Sequence, residues 1–201
     1  MAITTGPISA QQHLAKLQAD PAWVATRQEK ERKGLERVEQ WRREQKPLLD
    51  DLAAIGVVVD SAWRLHGIQN PDERIFPILL DHLTRPYSPR VVEGIARAFA
   101  VKSARPIVWD ALVTMLKSHA LADAAVEGVM AAISELAQPR DLQTLIDLLA
   151  DRSLGSPRIF LVANLMRSKK PEARTALLRL QDDPDLAREI TARLAGRGST
   201  R

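Results

Sequence analysis

The sequence predicts an all-α protein built from helix pairs repeated along the chain. Three observations predict it. First, the stretch from Pro71 to Ala137 reads as one unit written twice: an apolar helix pattern, a turn, and a second apolar helix pattern. The tripeptide Val92-Glu93-Gly94 recurs as Val126-Glu127-Gly128, 34 residues later. Inward positions match at the same offset: Val91 with Ala125, Ile95 with Val129, Ala96 with Met130, Phe99 with Ile133. Periods of about 20–50 residues mark stacked repeats. Second, prolines recur where helices should begin. Proline at the first helical position loses no needed hydrogen bond and presets φ. Third, apolar residues keep helical spacing from Pro47 to Leu194, with no second strand to pair with any β-branched run.

In chain order, residues 1–10 are expected to be loose. From Ala10 to Gln45 the chain reads as helical, with Asp20-Pro21 in cap-then-proline order. Arg27 to Lys46 carries eight positive and five negative residues. Glu29–Lys33 and Glu39–Arg43 make i,i+4 pairs worth about 0.2–0.5 kcal/mol each. No apolar residue lies between Ala25 and Gly34, so no coiled-coil seam is expected. Residues 1–46 thus form a charged helical segment.

A repeat domain is expected over residues 47–195. Leu48, Leu49, Leu52 and Ile55 share one side of a short helix that Gly56 ends. Asp60 is a plausible N-cap for a second helix ending at Gly67. Residues 47–67 therefore read as a degenerate capping repeat. Asn70-Pro71, Arg105-Pro106, Gln138-Pro139 and Lys170-Pro171 are expected to open the first helices of four units, and Ser88-Pro89, Ser156-Pro157 and Asp183-Pro184 three of the second helices. Pro77, inside the first such helix, should bend it or shift its start. The last two units keep the spacing through Leu142, Leu145, Ile146 and Leu149, then Leu177 and Leu180, then Leu186, Ile190 and Leu194. The run from Ile159 to Met166 is apolar nearly all round and should be buried on most sides. Residues 196–201 read as a disordered tail.

Paired helices, prolines at helix starts and charged residues closing first helices (Asp81-His82, Asp147 to Asp151) make residues 47–195 resemble the HEAT-repeat family, a HEAT-like α-solenoid of about five helix pairs. The stretch from Pro47 through Lys117 is similar to small bacterial HEAT-repeat proteins. The resemblance implies a right-handed superhelix with a concave face lined by second helices, and an immunity or adaptor role.

Composition narrows the function. The chain has no cysteine, which excludes disulfides and thiol catalysis and fits a cytoplasmic protein. No apolar run approaches the roughly 20 residues of a membrane span, and the N-terminus lacks a signal-peptide pattern, so no membrane partner is expected. The net charge is +4, yet residues 71–195 carry only +1, so no basic nucleic-acid stripe is required. His13, His66, His82 and His119 have no histidine partner at i+3 or i+4 and are expected at the surface or at helix ends, without a metal. There is no GxSxG elbow or glycine-rich phosphate loop. No cofactor is expected.

What remains is surface. Arg90, Glu93 and Arg97 share a helix face at i, i+3, i+7. The matching face of the next second helix holds Asp123 and Glu127, and Arg158 begins the one after, with Phe160 near the Glu93/Glu127 position. Mixed charge with an aromatic is closer to a protein-binding patch than to a phosphate track; the bland alternative is solvated charges and a core Phe160. The expected function is non-catalytic binding of another protein. The competing expectation is nucleic-acid binding, including a variant resembling DNA glycosylases of this architecture, with Trp109-Asp110 in the catalytic role. Against that variant, the chain is poor in aromatics, and the resemblance implies that a first helix faces outward.

Overall fold

A computed structural model describes residues 9–198. Among these there are eleven α-helices, five short 3-10 turns and no strand. The chain divides into two compact units after Arg43.

The first unit holds α1 (Ala10–Gln18) and nearly all of α2 (Pro21–Glu44). Pro21 opens α2 as expected, and the Asp20 carboxylate accepts the Ala22 N–H at 2.9 Å. No residue of α2 is buried. Its charges pair along the helix: Arg27 with Glu31, Arg32 with Glu29 and Glu36, and Lys33 with Glu29. Hydrogen bonds from Arg32 hold the Glu29 carboxyl down to about 2. The expected Glu39–Arg43 pair is not among the ion pairs of the described residues.

The second unit comprises α3 (Lys46–Ala54), α4 (Ile75–Leu83), α5 (Pro89–Ala98), α6 (Arg105–Lys117), α7 (Asp123–Leu136), α8 (Leu142–Ala150), α9 (Ile159–Arg167), α10 (Pro171–Arg179) and α11 (Ala187–Gly198). Helices α4 and α5, α6 and α7, and α8 and α9 pack as sequential pairs. Between pairs, α5 packs on α7, α7 on α9 and α9 on α11, while α4 packs on α6 and α8 on α10. Phe76, Phe99, Leu112, Met130 and Ile133 are fully buried in the one core cluster that runs through these pairs.

Local chemistry explains most element ends. Gly56 has φ +86°, and the Val57 and Gly56 N–H groups close onto the carbonyls of Leu52 and Ala53, the two bonds of a Schellman stop. Proline sits in the first turn of α3, α5, α6 and α10. Pro139 and Pro157 instead begin 3-10 turns that lead into α8 and α9. Pro77 lies in the first turn of α4, because the helix starts at Ile75 rather than at Pro71.

Two expectations are corrected. Residues 57–67 hold only a 3-10 turn at Ala62–Arg64, not a helix. Its cap is Ser61 rather than Asp60, and the three β-branched residues before it leave no apolar helical face. The last helix runs on to Gly198, into the expected tail; residues 199–201 of that tail lie outside the described residues, as do residues 1–8. Phe160 packs against the core, the second of the two readings left open for it.

His82 lies in the last turn of α4, one of the two places expected for it, but it is fully buried. Its Nε2 lies 2.8 Å from Asp51 Oδ2 on α3, and its Nδ1 lies 2.6 Å from the Tyr87 hydroxyl in the α4–α5 connection. Both ring nitrogens are therefore within hydrogen-bond reach of a polar partner, and burial pushes the Tyr87 phenol up. The imidazole thus ties three segments at the cost of no unsatisfied nitrogen. Tyr87→Phe removes one of these bonds and is expected to lower stability by about 1–1.5 kcal/mol, read from urea unfolding.

Candidate functional site

The first ten residues of the α5 region explain why its outer face is charged. Val91, Val92, Ile95, Ala96, Ala98 and Phe99 are buried, which leaves Arg90, Glu93 and Arg97 facing out. Arg97 Nε donates to Glu93 at 2.9 Å, and its Nη2 lies 3.3 Å from Glu127 on α7. Four of the six expected surface residues, Arg90, Glu93, Arg97 and Glu127, are therefore brought to one place.

Trp63, which the sequence reading did not single out, organises them. It projects from the 3-10 turn at Ala62–Arg64, and its indole N–H donates to the Arg90 carbonyl at 2.9 Å. The guanidinium groups of Arg90 and Arg97 lie 5.1 Å and 6.0 Å from its ring centroid, within cation–π range. Gly94 makes room for it: a Cβ there would stand 3.0 Å from Trp63 Cδ1 and 3.2 Å from Ala62 Cβ. The recurrence of Gly94 signalled a close approach without naming its partner. The partner is a half-buried tryptophan from the 3-10 turn that precedes α4.

A pocket of about 370 Å³ adjoins this cluster. Arg97 forms one wall, with His66, Lys102, Ser103 and Glu135 supplying polar groups and Leu65, Ile68 and Val101 apolar ones. The His66 Nδ1 lies 3.3 Å from the Arg97 carbonyl. The Ser103 hydroxyl is buried and has no hydrogen-bond partner. A ligand group entering here meets both charges.

The other two expected site residues lie elsewhere. Asp123 is exposed at the start of α7 and lines a separate depression of about 260 Å³ with His119, Val126, Ser153 and Leu154. Beside it, the Ser153 hydroxyl lies 2.5 Å from Asp151 Oδ1 but 3.4 Å from either His119 nitrogen. Its proton is therefore directed at the carboxylate rather than the imidazole. This is the composition of a nucleophilic triad without the serine-to-histidine bond that activates one.

Arg158 is not a surface residue, which corrects the expectation for it. Its side chain is 1 % exposed, and all five of its N–H bonds are spent internally. Nε donates to the Gly155 carbonyl, Nη1 to the Leu149 carbonyl and Asp183, and Nη2 to Asp183 and Asp185. Nothing is left for a partner. Asp183 also caps its turn, by accepting the Asp185 N–H, but its larger role is this ion pair.

Trp109 is half-buried, with the Arg105 guanidinium 4.1 Å from its ring centroid. Arg105 is itself held by Asp141 at 2.9 Å and the Leu136 carbonyl at 2.8 Å. Asp110 is exposed on α6. Among the described residues, no group of three or more histidine, aspartate or glutamate side chains is placed to hold a metal ion, and no helix is long and apolar enough to cross a membrane. No protein-family model matches the sequence, and no curated protein or solved structure matches the chain.

Proposed function

We propose that this chain is a non-catalytic protein-binding module, an α-solenoid of the HEAT-like kind, with an immunity or adaptor role as its most concrete form. The face around Trp63, Arg90, Glu93, Arg97 and Glu127 contacts the partner, and Asp123 extends it along α7. One observation carries this reading: a half-buried tryptophan framed by two arginines and two glutamates, beside a pocket of about 370 Å³. Tryptophan and arginine are the residue types most enriched at binding hot spots. Their alternation with carboxylates suits a partner of mixed charge, whereas a phosphate backbone would meet Glu93 and Glu127 as repulsive groups. The packing of α5 on α7 and α7 on α9 supports the stacked reading.

The test is capture from the source cell, compared between the wild-type chain and Arg90→Glu, alongside a salt titration against random-sequence duplex DNA. The wild-type is expected to retain a partner that the variant loses, with no submicromolar DNA binding. Submicromolar affinity for the duplex that falls steeply with salt would overturn the reading in favour of nucleic acid. Arg90 is the right position to reverse because Arg97 also holds Glu93 and Glu127. Arg97→Glu places three carboxylates together and is expected to lower stability by about 1 kcal/mol, measured by thermal unfolding.

A further inference from the structure

The turn between α9 and α10 carries a second surface with a different character. Arg167, Lys169, Lys170 and Arg174 are all exposed, and none has a carboxylate partner among the described residues. Elsewhere in the same unit several basic side chains are engaged, among them Lys46 with Asp50, Arg85 with Asp81, Arg105 with Asp141, Lys117 with Asp147 and Arg193 with Glu189, while Lys102, Arg140, Arg179 and Arg188 stand singly rather than in a cluster. Glu172 is the one acidic residue between Leu165 and Leu177, and it lines neither of the grooves beside the turn.

Those two grooves flank the Arg167–Lys170 turn, which forms a wall of both. One is about 480 Å³, with an aliphatic floor of Pro139, Leu142 and Leu145. The other is about 420 Å³, floored by Leu165, Leu177 and Leu194, with Arg174 on its rim. Neither is lined by an aromatic side chain. Polar groups at the first are already occupied: the Asn164 amide donates to the Ser134 carbonyl, and the Ser168 hydroxyl accepts the Lys170 N–H.

We propose that this turn docks an acidic linear segment of a protein partner, with an aliphatic side chain of that segment seated in each groove and its carboxylates on the four cations between and around them. Charge complementarity selects the occupant. Four cations against one carboxylate, Glu172, within eight residues favour anionic charge, and two aliphatic floors favour apolar side chains on either side of it. Single-stranded nucleic acid satisfies the charge but binds by stacking bases on aromatic faces, which are missing from both grooves. The site uses residues 137–177 with Leu194 and none of the Trp63 cluster, so it stands or falls independently of the reading above.

The probe is a short fluorescent peptide of alternating glutamate and leucine, read by anisotropy against the full chain. Two controls separate the components: the glutamine–leucine peptide lacks the charge, and the glutamate–alanine peptide lacks the anchors. The wild-type chain is expected to bind the first peptide and to bind each control at least about tenfold more weakly, a difference of about 1.4 kcal/mol. Lys169→Glu with Lys170→Glu is expected to weaken the first peptide by at least about tenfold, and Arg174→Glu by less, because Arg174 borders one groove only. These side chains are exposed, so melting should be unchanged, and Arg90→Glu should bind the peptide as the wild-type does. The proposal is overturned if the wild-type fails to bind the first peptide at low salt, if the double reversal leaves its affinity intact, or if the glutamate–alanine peptide binds equally well. It is also overturned if a single-stranded oligonucleotide or vesicles of anionic phospholipid bind more tightly than the peptide with the same dependence on Lys169 and Lys170.

Discussion

Arg158→Ala is expected to cost about 3–5 kcal/mol of stability, because it leaves Asp183 buried without a counter-charge. In a chain of this size that lowers the melting temperature by on the order of 10 °C. The loss should exceed that of any surface pair, since exposed pairs are worth only about 0.2–1 kcal/mol. Arg158→Lys should recover only part of it. An ammonium has three donors and no planar fork, so it cannot serve two carboxylates and two carbonyls at once. Acid dependence gives a second readout. The Arg158 hydrogen bonds hold the Asp183 carboxyl below the usual carboxylate range, against the opposing effect of burial. A depressed folded-state pKa means that the unfolded chain binds the proton more readily. The stabilisation is therefore fully present above the unfolded value of about 3.9 and is lost as pH falls through the lower folded value. The gap between wild-type and Arg158→Ala, measured by urea unfolding, should be widest near neutral pH and should narrow below about pH 4. A gap that stays constant into acid would mean that the two residues are not coupled.

Gly128→Leu is expected to cost about 3 kcal/mol, through overpacking at the closest approach of α5 and α7. A Cβ at Gly128 would stand 2.6 Å from Ala96 Cβ and 3.3 Å from the Arg97 nitrogen. The first neighbour is a methyl carbon fixed to a helix backbone, so the helices themselves must part. Even Gly128→Ala should destabilise, although alanine is the better helix former by about 0.5–1 kcal/mol. Gly94→Ala should be milder, because its nearest neighbour is the Trp63 ring, which can tilt about its own torsions. Ala96→Gly placed with Gly128→Ala removes the facing methyl, and the pair should be less destabilised than the sum of the single changes. Additive losses in that cycle would show that the two positions do not press on each other.

The glycine register was half legible. Val92-Glu93-Gly94 and Val126-Glu127-Gly128 revealed a period of 34 residues and implied close packing. The structure adds that each glycine packs on the alanine 32 residues before it, Gly94 on Ala62 and Gly128 on Ala96. Ala62 thus meets Gly94 as Ala96 meets Gly128, although Ala62 lies in a 3-10 turn rather than an α-helix. Periodicity could not reveal that equivalence, because Val57 to Asp60 carry no helical pattern. The candidate site was legible as far as Arg90, Glu93, Arg97 and Glu127, which helical spacing alone puts on two outer faces. Trp63 was not, since it lies in a single 3-10 turn with no repeat to place it.

The sequence by itself determined that the chain is helical, where most helices begin and end, and which apolar positions face inward. Those are local matters: proline, glycine and caps act within one turn, and the apolar stripe repeats every three or four residues. Only the tertiary structure decided which polar residues are interior. Arg158 opens a helical segment in the same way as Arg90, and His82 ends one as a surface histidine would. Both are buried because a carboxylate distant in the chain is folded against them, Asp183 for Arg158 and Asp51 for His82. Whether a charge can leave water depends on the partner that replaces the water, and no local pattern specifies a partner 25 or 31 residues away.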